Sequence, residues 1–357
     1  MQLAKPLARP RRQTLELVSR SWSWLFLLLL VIFFSLTGPG FLSFFNIQSI
    51  GSNMSSELIM ALGQTFVIIA AGIDLSTGFI MGLAAVISAE VLTVLAASRL
   101  PLPLVIILGL LAGIIGGTIP GLINGIIIGR LRVPPFIVTL GMYGIAEGIA
   151  FLVEGGQPIS VQVNGVGNLG NGYLLYYQSS AGFTFFNPPT GPHGAQLNGV
   201  VSLLPYPLII MIIVLLVCHW LLSRTKFGQH TYAIGGNAEA ALRAGIPVVR
   251  RTIAIYTLSG LLSAIAGVVY VLRFTNGAAD AGNPLLLDSI AAVVIGGASL
   301  FGGEGTVIGT FIGALIIAVI QNGLVIIGVE PFWQYVAVGA VIILAVLVDQ
   351  AKSRITA

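Results

Sequence analysis

The chain is a succession of long apolar stretches that contain almost no charge. An α-helix needs about 20 apolar residues to cross a bilayer, so each stretch predicts a membrane span. The predicted spans are 22–45, 52–72, 77–97, 102–129, 134–153, 203–222, 252–272, 285–300, 306–329 and 332–348. The short stretch 285–300 predicts a broken helix. This pattern predicts an all-α membrane protein with about ten transmembrane helices.

The composition excludes a soluble protein. Of the 357 residues, 56% are hydrophobic and 8% are charged, whereas soluble domains carry about 25% charged residues. The net charge of +4 is typical of some nucleic-acid-binding proteins. Here the basic residues lie between apolar stretches, so they indicate orientation in a membrane instead.

The Lys and Arg residues predict the direction in which the chain crosses the membrane. If the N-terminus is cytoplasmic, fourteen of the sixteen cations lie on the cytoplasmic side, and only Arg99 and Arg273 lie outside. Cytoplasmic loops of membrane proteins carry such an excess. The sequence therefore predicts cytoplasmic tails at 1–21 and 349–357 around a single transmembrane domain, 22–348.

Two long loops are predicted on opposite sides. The outer loop, 154–202, contains no Lys or Arg, whereas the inner loop, 223–251, holds five of them. Within the inner loop, Asn237 is placed to cap a short helix, and Gly245 stands where such a helix ends. This helix is either a docking element for a cytoplasmic partner or an ordinary amphipathic loop helix.

Two glycine-rich breaks interrupt the apolar pattern. Residues 72–78 read Gly-Ile-Asp-Leu-Ser-Thr-Gly, in which Asp74 or Ser76 is either a helix cap or part of a functional site. Residues 296–305 form the second break, which lacks the ending of a phosphate-binding loop. Their similarity suggests an internal repeat, as in many transporters.

Polar residues within the spans are few. Asn124 lies in the fourth span and Gln64 in the second, and with Asp74 and Ser76 they are our candidates for a translocation pathway or its gate. The acidic residues near or within spans are Glu57, Glu90, Glu147, Asp280 and Asp288. Glu147 is predicted to lie deepest in the membrane, and the sequence names no cationic partner for it.

No pattern indicates catalysis. The histidines His193, His219 and His230 lack metal-ligand spacing, and Cys218 is the single cysteine. Neither a nucleophile–base arrangement nor an ATP-binding motif is present in the sequence. We therefore expect neither an enzyme nor a metal site.

Several ordered motifs resemble those of ribose-type ABC sugar importer permeases, in the branched-chain amino acid/ribose permease family. The segment 72–78 is similar to the family signature Gly-Ile-Asp-Leu-Ser-Val-Gly. The segments 233–248 and 295–305 resemble the coupling-helix region and a second glycine-rich stretch of the family. The motifs 133–141 and 155–159 also fit. The sequence departs from the family pattern in the outer loop, which at 165–199 is longer and more aromatic than usual. Glu147 and Glu304 also stand where basic residues are commoner in the family.

The resemblance implies a type II importer permease with broken helices in the bacterial inner membrane. A second permease chain, identical or related, would complete the pathway, and a periplasmic protein would deliver sugar. A cytoplasmic ATPase would bind ATP and Mg²⁺, so this chain would need no cofactor of its own. The residues expected to seat that ATPase are Asn237, Glu239, Ala240, Arg243 and Gly245.

Two rival functions remain. A secondary transporter or channel would need no ATPase, and paired carboxylates within the membrane would favour it. An intramembrane enzyme would need a nucleophile–base pair or metal ligands. The sequence leaves open which sugar is carried and whether the second permease chain is identical.

Overall fold

The computed structural model describes residues 9–179, 182–190, 199–330, 332–341 and 343–344, with the backbone alone for 9–21. Most of this part is helical. The helices are α1 (Arg9–Thr37), α2 (Phe44–Ile69), α3 (Thr77–Ala96), α4 (Leu102–Leu131), α5 (Pro135–Glu154), α6 (Val166–Asn171), α7 (Tyr206–Arg224), α8 (Lys226–Gly236), α9 (Ala238–Arg243), α10 (Val248–Phe274), α11 (Asn283–Ile295), α12 (Val307–Ile326) and α13 (Phe332–Val341). The strands are β1 (Ile159–Ser160), β2 (Tyr173–Gln178), β3 (Gly182–Phe185), β4 (Val201–Pro205) and β5 (Asn276–Gly277).

Six described helices are long and apolar enough to cross a membrane, namely α3, α4, α5, α7, α10 and α12. Three apolar helical segments are shorter, in α1, α11 and α13. The predicted class, an all-α membrane protein, is confirmed. The count of about ten spans and the cytoplasmic position of the termini stay predictions, and the C-terminal tail lies outside the described residues.

The first two predicted spans have different limits in the structure. The first was predicted to reach residue 45, but α1 ends at Thr37, before a Gly-Pro-Gly sequence. The chain turns there because proline and glycine interrupt a helix. The second was predicted to begin at 52, but α2 begins at Phe44, where the Ser43 side chain accepts a hydrogen bond from the Asn46 N–H.

The sixth and eighth predicted spans also changed. The sixth was predicted to begin at 203, but β4 occupies that position and α7 begins only after Pro205. The eighth contains a helix of only 13 residues, α11, which follows a non-helical segment, 276–282. The short length is therefore confirmed, and the break of this span stays a prediction.

Helices α2, α3, α10 and α12 form the buried centre, while α4, α5 and α7 surround it. The 18-residue apolar stretches of α3, α10 and α12 are 61%, 72% and 67% buried, whereas the corresponding stretch of each outer helix is 22% buried. Helix α4 nevertheless crosses α10 very closely: a Cβ on Gly121 would lie 2.8 Å from the Cα of Gly260. Membrane helices use small residues for such approaches.

The described part of the outer loop is folded, which the sequence did not predict. Strands β3, β2 and β4 form an antiparallel sheet in that order, and β1 pairs with β5. The helix α6 packs against the end of α10, where Gly170 lies close to Leu272. Helices α8 and α9 precede the start of α10, so the two long loops lie at opposite ends of this helix.

Candidate functional site

Asp74 is the centre of a buried polar network. It lies in the turn between α2 and α3 and has no exposed surface. Its Oδ1 accepts hydrogen bonds from the backbone N–H and the hydroxyl of Ser76, and its Oδ2 accepts one from the Ser259 hydroxyl, at 2.8 Å. Such charge-assisted hydrogen bonds are stronger than neutral ones. Asp74 therefore ties the turn to α10.

The capping role proposed for Ser76 has a different form in the structure. Ser76 occupies the N-cap position of α3, but its hydroxyl makes no capping hydrogen bond to the helix. The hydroxyl donates to Asp74 instead, because the turn places the carboxylate beside it. The side chain of Ser76 therefore belongs to the network and does not cap α3.

Gln64 and Asn124 complete the network from α2 and α4. The Gln64 Nε2 donates to the Asp74 carbonyl oxygen, and the Asn124 Nδ2 donates to the Ser76 hydroxyl at 2.9 Å. We call Gln64, Asp74, Ser76, Asn124 and Ser259 the Asp74 network. The structure thus brings together the four residues that the sequence singled out. Ser259 was missed, because a single serine in an apolar span carries no sequence signal.

The Asp74 network is closed to solvent, since all five side chains have zero exposed surface. It also contains unused hydrogen-bonding capacity. Among the described residues, Gln64 Oε1, Asn124 Oδ1 and the Tyr256 hydroxyl are buried without a partner. A buried polar atom without a partner costs about 1–3 kcal/mol. In this conformation the network is a polar junction of α2, α3, α4 and α10 and does not line an open channel.

The second glycine-rich break meets the end of α2 beside α8. The Gly303 N–H donates to the Ile69 carbonyl at 2.8 Å, and a Cβ on Gly235 would overlap that same carbonyl oxygen. The Tyr232 hydroxyl of α8 donates to the Gly305 carbonyl at 2.7 Å. We call the contact of Ile69, Gly235 and Gly303 the glycine junction. Through it, α8 touches the second break and the end of α2, just before the first break; the internal repeat itself stays a prediction.

Helix α9 has the ends that the sequence predicted. The Asn237 Oδ1 accepts a hydrogen bond from the Ala240 N–H at 2.9 Å. After the helix, Gly245 adopts a φ of +82° and the Ile246 N–H donates to the Ala241 carbonyl. Glycine favours this left-handed geometry because it has no Cβ. Asn237 and Gly245 therefore fix the length of α9.

Helix α9 projects from the rest of the molecule. Ala241 is its one buried residue, whereas Leu242 is 57% exposed. The side chains of Glu239 and Arg243 form a 3.7 Å ion pair and are both more than 80% exposed. Ala240 is exposed as well. The residues predicted to seat a partner thus lie on an accessible surface.

Two of the acidic residues named from the sequence are buried. Glu57 of α2 and Asp288 of α11 are 2% and 6% exposed, and these two helices pack on each other. Glu147 is half-buried on α5, and its depth in the membrane stays a prediction. The sequence did not show which acids are buried, because their burial depends on helix packing.

Comparison with known proteins gives a consistent result. A family model described as "branched-chain amino acid transport system / permease component" matches residues 46–346. The ribose import permease protein RbsC of Bacillus subtilis is 40% identical over 327 residues, which cover 92% of this chain and 91% of the relative. The fructose import permease protein FrcC of Rhizobium meliloti is 36% identical over 92% of this chain and 84% of its own length. No solved structure matches the chain.

Proposed function

Since the chain belongs to the family of branched-chain amino acid transport system permease components, we propose that it is the membrane subunit of an ATP-driven sugar importer. Ribose or a related monosaccharide is the proposed substrate, because the relatives include import permeases for ribose, fructose and xylose. The structural observation that supports the proposal is the position of α9, an exposed helix connected through α8 to the end of α2 and to the second glycine-rich break.

This position supports a coupling role. A cytoplasmic ATPase, which would bind ATP and Mg²⁺, would seat on Asn237, Glu239, Ala240, Arg243 and Gly245. A displacement of α9 moves α8, because Asn237 is both the C-cap residue of α8 and the N-cap residue of α9. From α8 the displacement passes to the α2–α3 turn and to the segment 296–305, through the glycine junction.

The Asp74 network would then act as a gate. It joins four helices in a closed arrangement, and its unpartnered groups include the Gln64 and Asn124 carbonyl oxygens. A neutral sugar carries many hydroxyls, which can donate to such oxygens. In the proposed mechanism a displaced α2–α3 turn separates Asp74 from Ser259 and exposes these acceptors to the sugar.

The opposite end of the molecule offers a surface for a periplasmic binding protein. The sheet exposes several aromatic side chains; Phe183, Phe185 and Phe186 are 62%, 63% and 63% exposed. Exposed apolar patches of this kind mark interaction sites. The distribution of Lys and Arg supports an inner-membrane protein with both termini in the cytoplasm, which places this sheet on the periplasmic side. A second permease subunit would pack on the exposed faces of the outer helices.

The test is sugar uptake into proteoliposomes that contain the permease, its candidate ATPase and its binding protein. The proposal predicts uptake that requires ATP and stops when Gly245 is replaced by proline. Uptake that continues unchanged without ATP would refute it. That result would favour a secondary transporter, for which the buried acids Glu57 and Asp288 are the supporting observation.

A further inference from the structure

A wide cleft lies between the start of α4, the helix α6 and the sheet of the outer loop. Its volume is about 980 Å³, near the upper end of the range of small-molecule sites, about 300–1,000 Å³. It shares no residue with the Asp74 network or with the glycine junction. We call it the Asn–Tyr cleft, because its polar lining includes Asn164, Asn168, Asn187, Tyr173, Tyr176 and Tyr206.

The Asn–Tyr cleft is polar but uncharged. Among the described residues that line it, none is Lys, Arg, His, Asp or Glu. Sites for phosphate or carboxylate groups rely on charge-assisted hydrogen bonds from cations, and sites for cations rely on carboxylates. The lining therefore suits a neutral ligand.

The side chains of the cleft are free to bind such a ligand. Within the part of the chain that the structure describes, no hydrogen bond engages the side-chain amides of Asn164, Asn168 and Asn187. Each of these amides both donates and accepts, as a hydroxyl group does. Beside them, the rings of Tyr173 and Tyr176 lie 5.9 Å apart in an edge-to-face arrangement. A sugar has hydroxyls at its rim and C–H groups on its faces, so amides beside aromatic rings match both.

The walls of the cleft are fixed by contacts outside it. The Asn171 Nδ2 of α6 donates to the Arg273 carbonyl oxygen at the end of α10, at 2.8 Å. The Tyr206 N–H at the start of α7 donates to the Gly172 carbonyl oxygen at 3.1 Å. Strand β2 pairs with both β3 and β4. A preformed site loses less entropy when it binds, so this rigidity favours binding.

We propose that the Asn–Tyr cleft binds a neutral, hydroxyl-rich ligand, namely a sugar. The choice of a sugar rests on the proposed function. Two sources can supply it. Phe186 lines the cleft and belongs to the aromatic surface proposed for the binding protein, which would release free sugar there. Leu102 and Ile107 of the membrane helix α4 line the other wall and are 44% and 53% exposed, so the sugar headgroup of a membrane lipid also reaches the cleft.

The test is saturation-transfer NMR on the full-length chain alone, in nanodiscs of synthetic phosphatidylcholine, with ribose, xylose or fructose as the probe. At least one sugar should give a signal. Asn168→Ala should weaken its binding about two- to tenfold, the usual effect of one lost hydrogen bond. Gln162→Ala is the matched control, since Gln162 is an exposed amide on the same segment that does not line the cleft. Asn168 is exposed as well, so its replacement should leave the fold intact.

A second nanodisc preparation distinguishes the two sources. A neutral glucosyl diacylglycerol should suppress the sugar signal if the cleft holds a lipid headgroup and should leave the signal unchanged if it holds free sugar. Ribose 5-phosphate should bind no more tightly than ribose, because no cation lines the described cleft. Tighter binding of the phosphate would contradict a site for neutral ligands.

No signal from any of the three sugars would overturn the proposal, as would equal weakening in Asn168→Ala and Gln162→Ala. These results are separable from a failure of the proposed function, because the binding assay contains no ATPase. ATP-dependent uptake without a sugar signal from the isolated chain would refute the cleft alone. A sugar signal that Asn168→Ala weakens, together with uptake that needs no ATP, would support the cleft and refute the ATP-driven importer.

Discussion

Replacement of Ser259 by alanine tests whether the Asp74 network holds the α2–α3 turn against α10. The substitution removes one donor from the Asp74 Oδ2 and leaves every other bond of the network in place. Hydrogen bonds between membrane helices contribute about 0.6 kcal/mol on average and about 1.7 kcal/mol at most. The acceptor here is a fully buried carboxylate, so we expect the upper end, about 1–2 kcal/mol.

The chain offers a matched control one turn further along the same helix. Ser263 is also fully buried, but its hydroxyl donates to the Ser259 carbonyl within α10 and joins no other helix. The assay is reversible unfolding in mixed micelles with a denaturing detergent, followed by tryptophan fluorescence. Ser259→Ala should shift the unfolding equilibrium about tenfold, while Ser263→Ala should shift it much less. Equal effects of the two variants would refute the view that the network joins helices.

Three further predictions concern the coupling route and the helix packing. Gly245→Pro should abolish co-purification with the ATPase. Proline excludes a φ of +82° and removes the N–H that bonds to the Leu242 carbonyl. The control Gly245→Asn tolerates this geometry and should retain co-purification. Tyr232→Phe loses the hydrogen bond to Gly305 and should lower ATP-dependent uptake while ATPase docking persists; unchanged uptake would exclude a role for this bond. Gly121→Ala should destabilise the fold by about 1–3 kcal/mol, since its Cβ would lie 2.6 Å from the Tyr256 carbonyl oxygen. The control Gly148→Ala on α5 faces open space and should leave stability unchanged in the same unfolding assay.

The sequence predicted the helices and the ends of α9 well, because hydrophobic periodicity and capping residues act locally. Asn237 and Gly245 fulfil their predicted roles through contacts within a few residues. The four polar residues of the Asp74 network were found since each stands out in an apolar span. How they meet did not follow from the sequence, because it depends on the packing of α4 on α3 and of α10 on both α2 and α4.

The missed features depend on contacts between distant parts of the chain. Ser259 resembles any other small residue of a membrane helix, and its role arises only from the facing Asp74. Glu57 and Asp288 were each noticed, yet their burial depends on the packing of α11 and α2. The strands of the outer loop were missed because their pairing is likewise non-local, as in the register of Tyr176 opposite Ser202.

The central claim, that α9 couples this permease to an ATPase, is tested most directly by a cross-link. Cys218 is the single cysteine, so Cys218→Ser gives a background in which Leu242→Cys places one thiol on the exposed face of α9. Leu152→Cys, at a position on α5 that is 82% exposed, is the control. We predict that Leu242→Cys cross-links to the ATPase and that the cross-linked complex loses ATP-dependent sugar uptake. Cross-linking absent at Leu242, or uptake unaffected by it, would contradict the coupling role of α9.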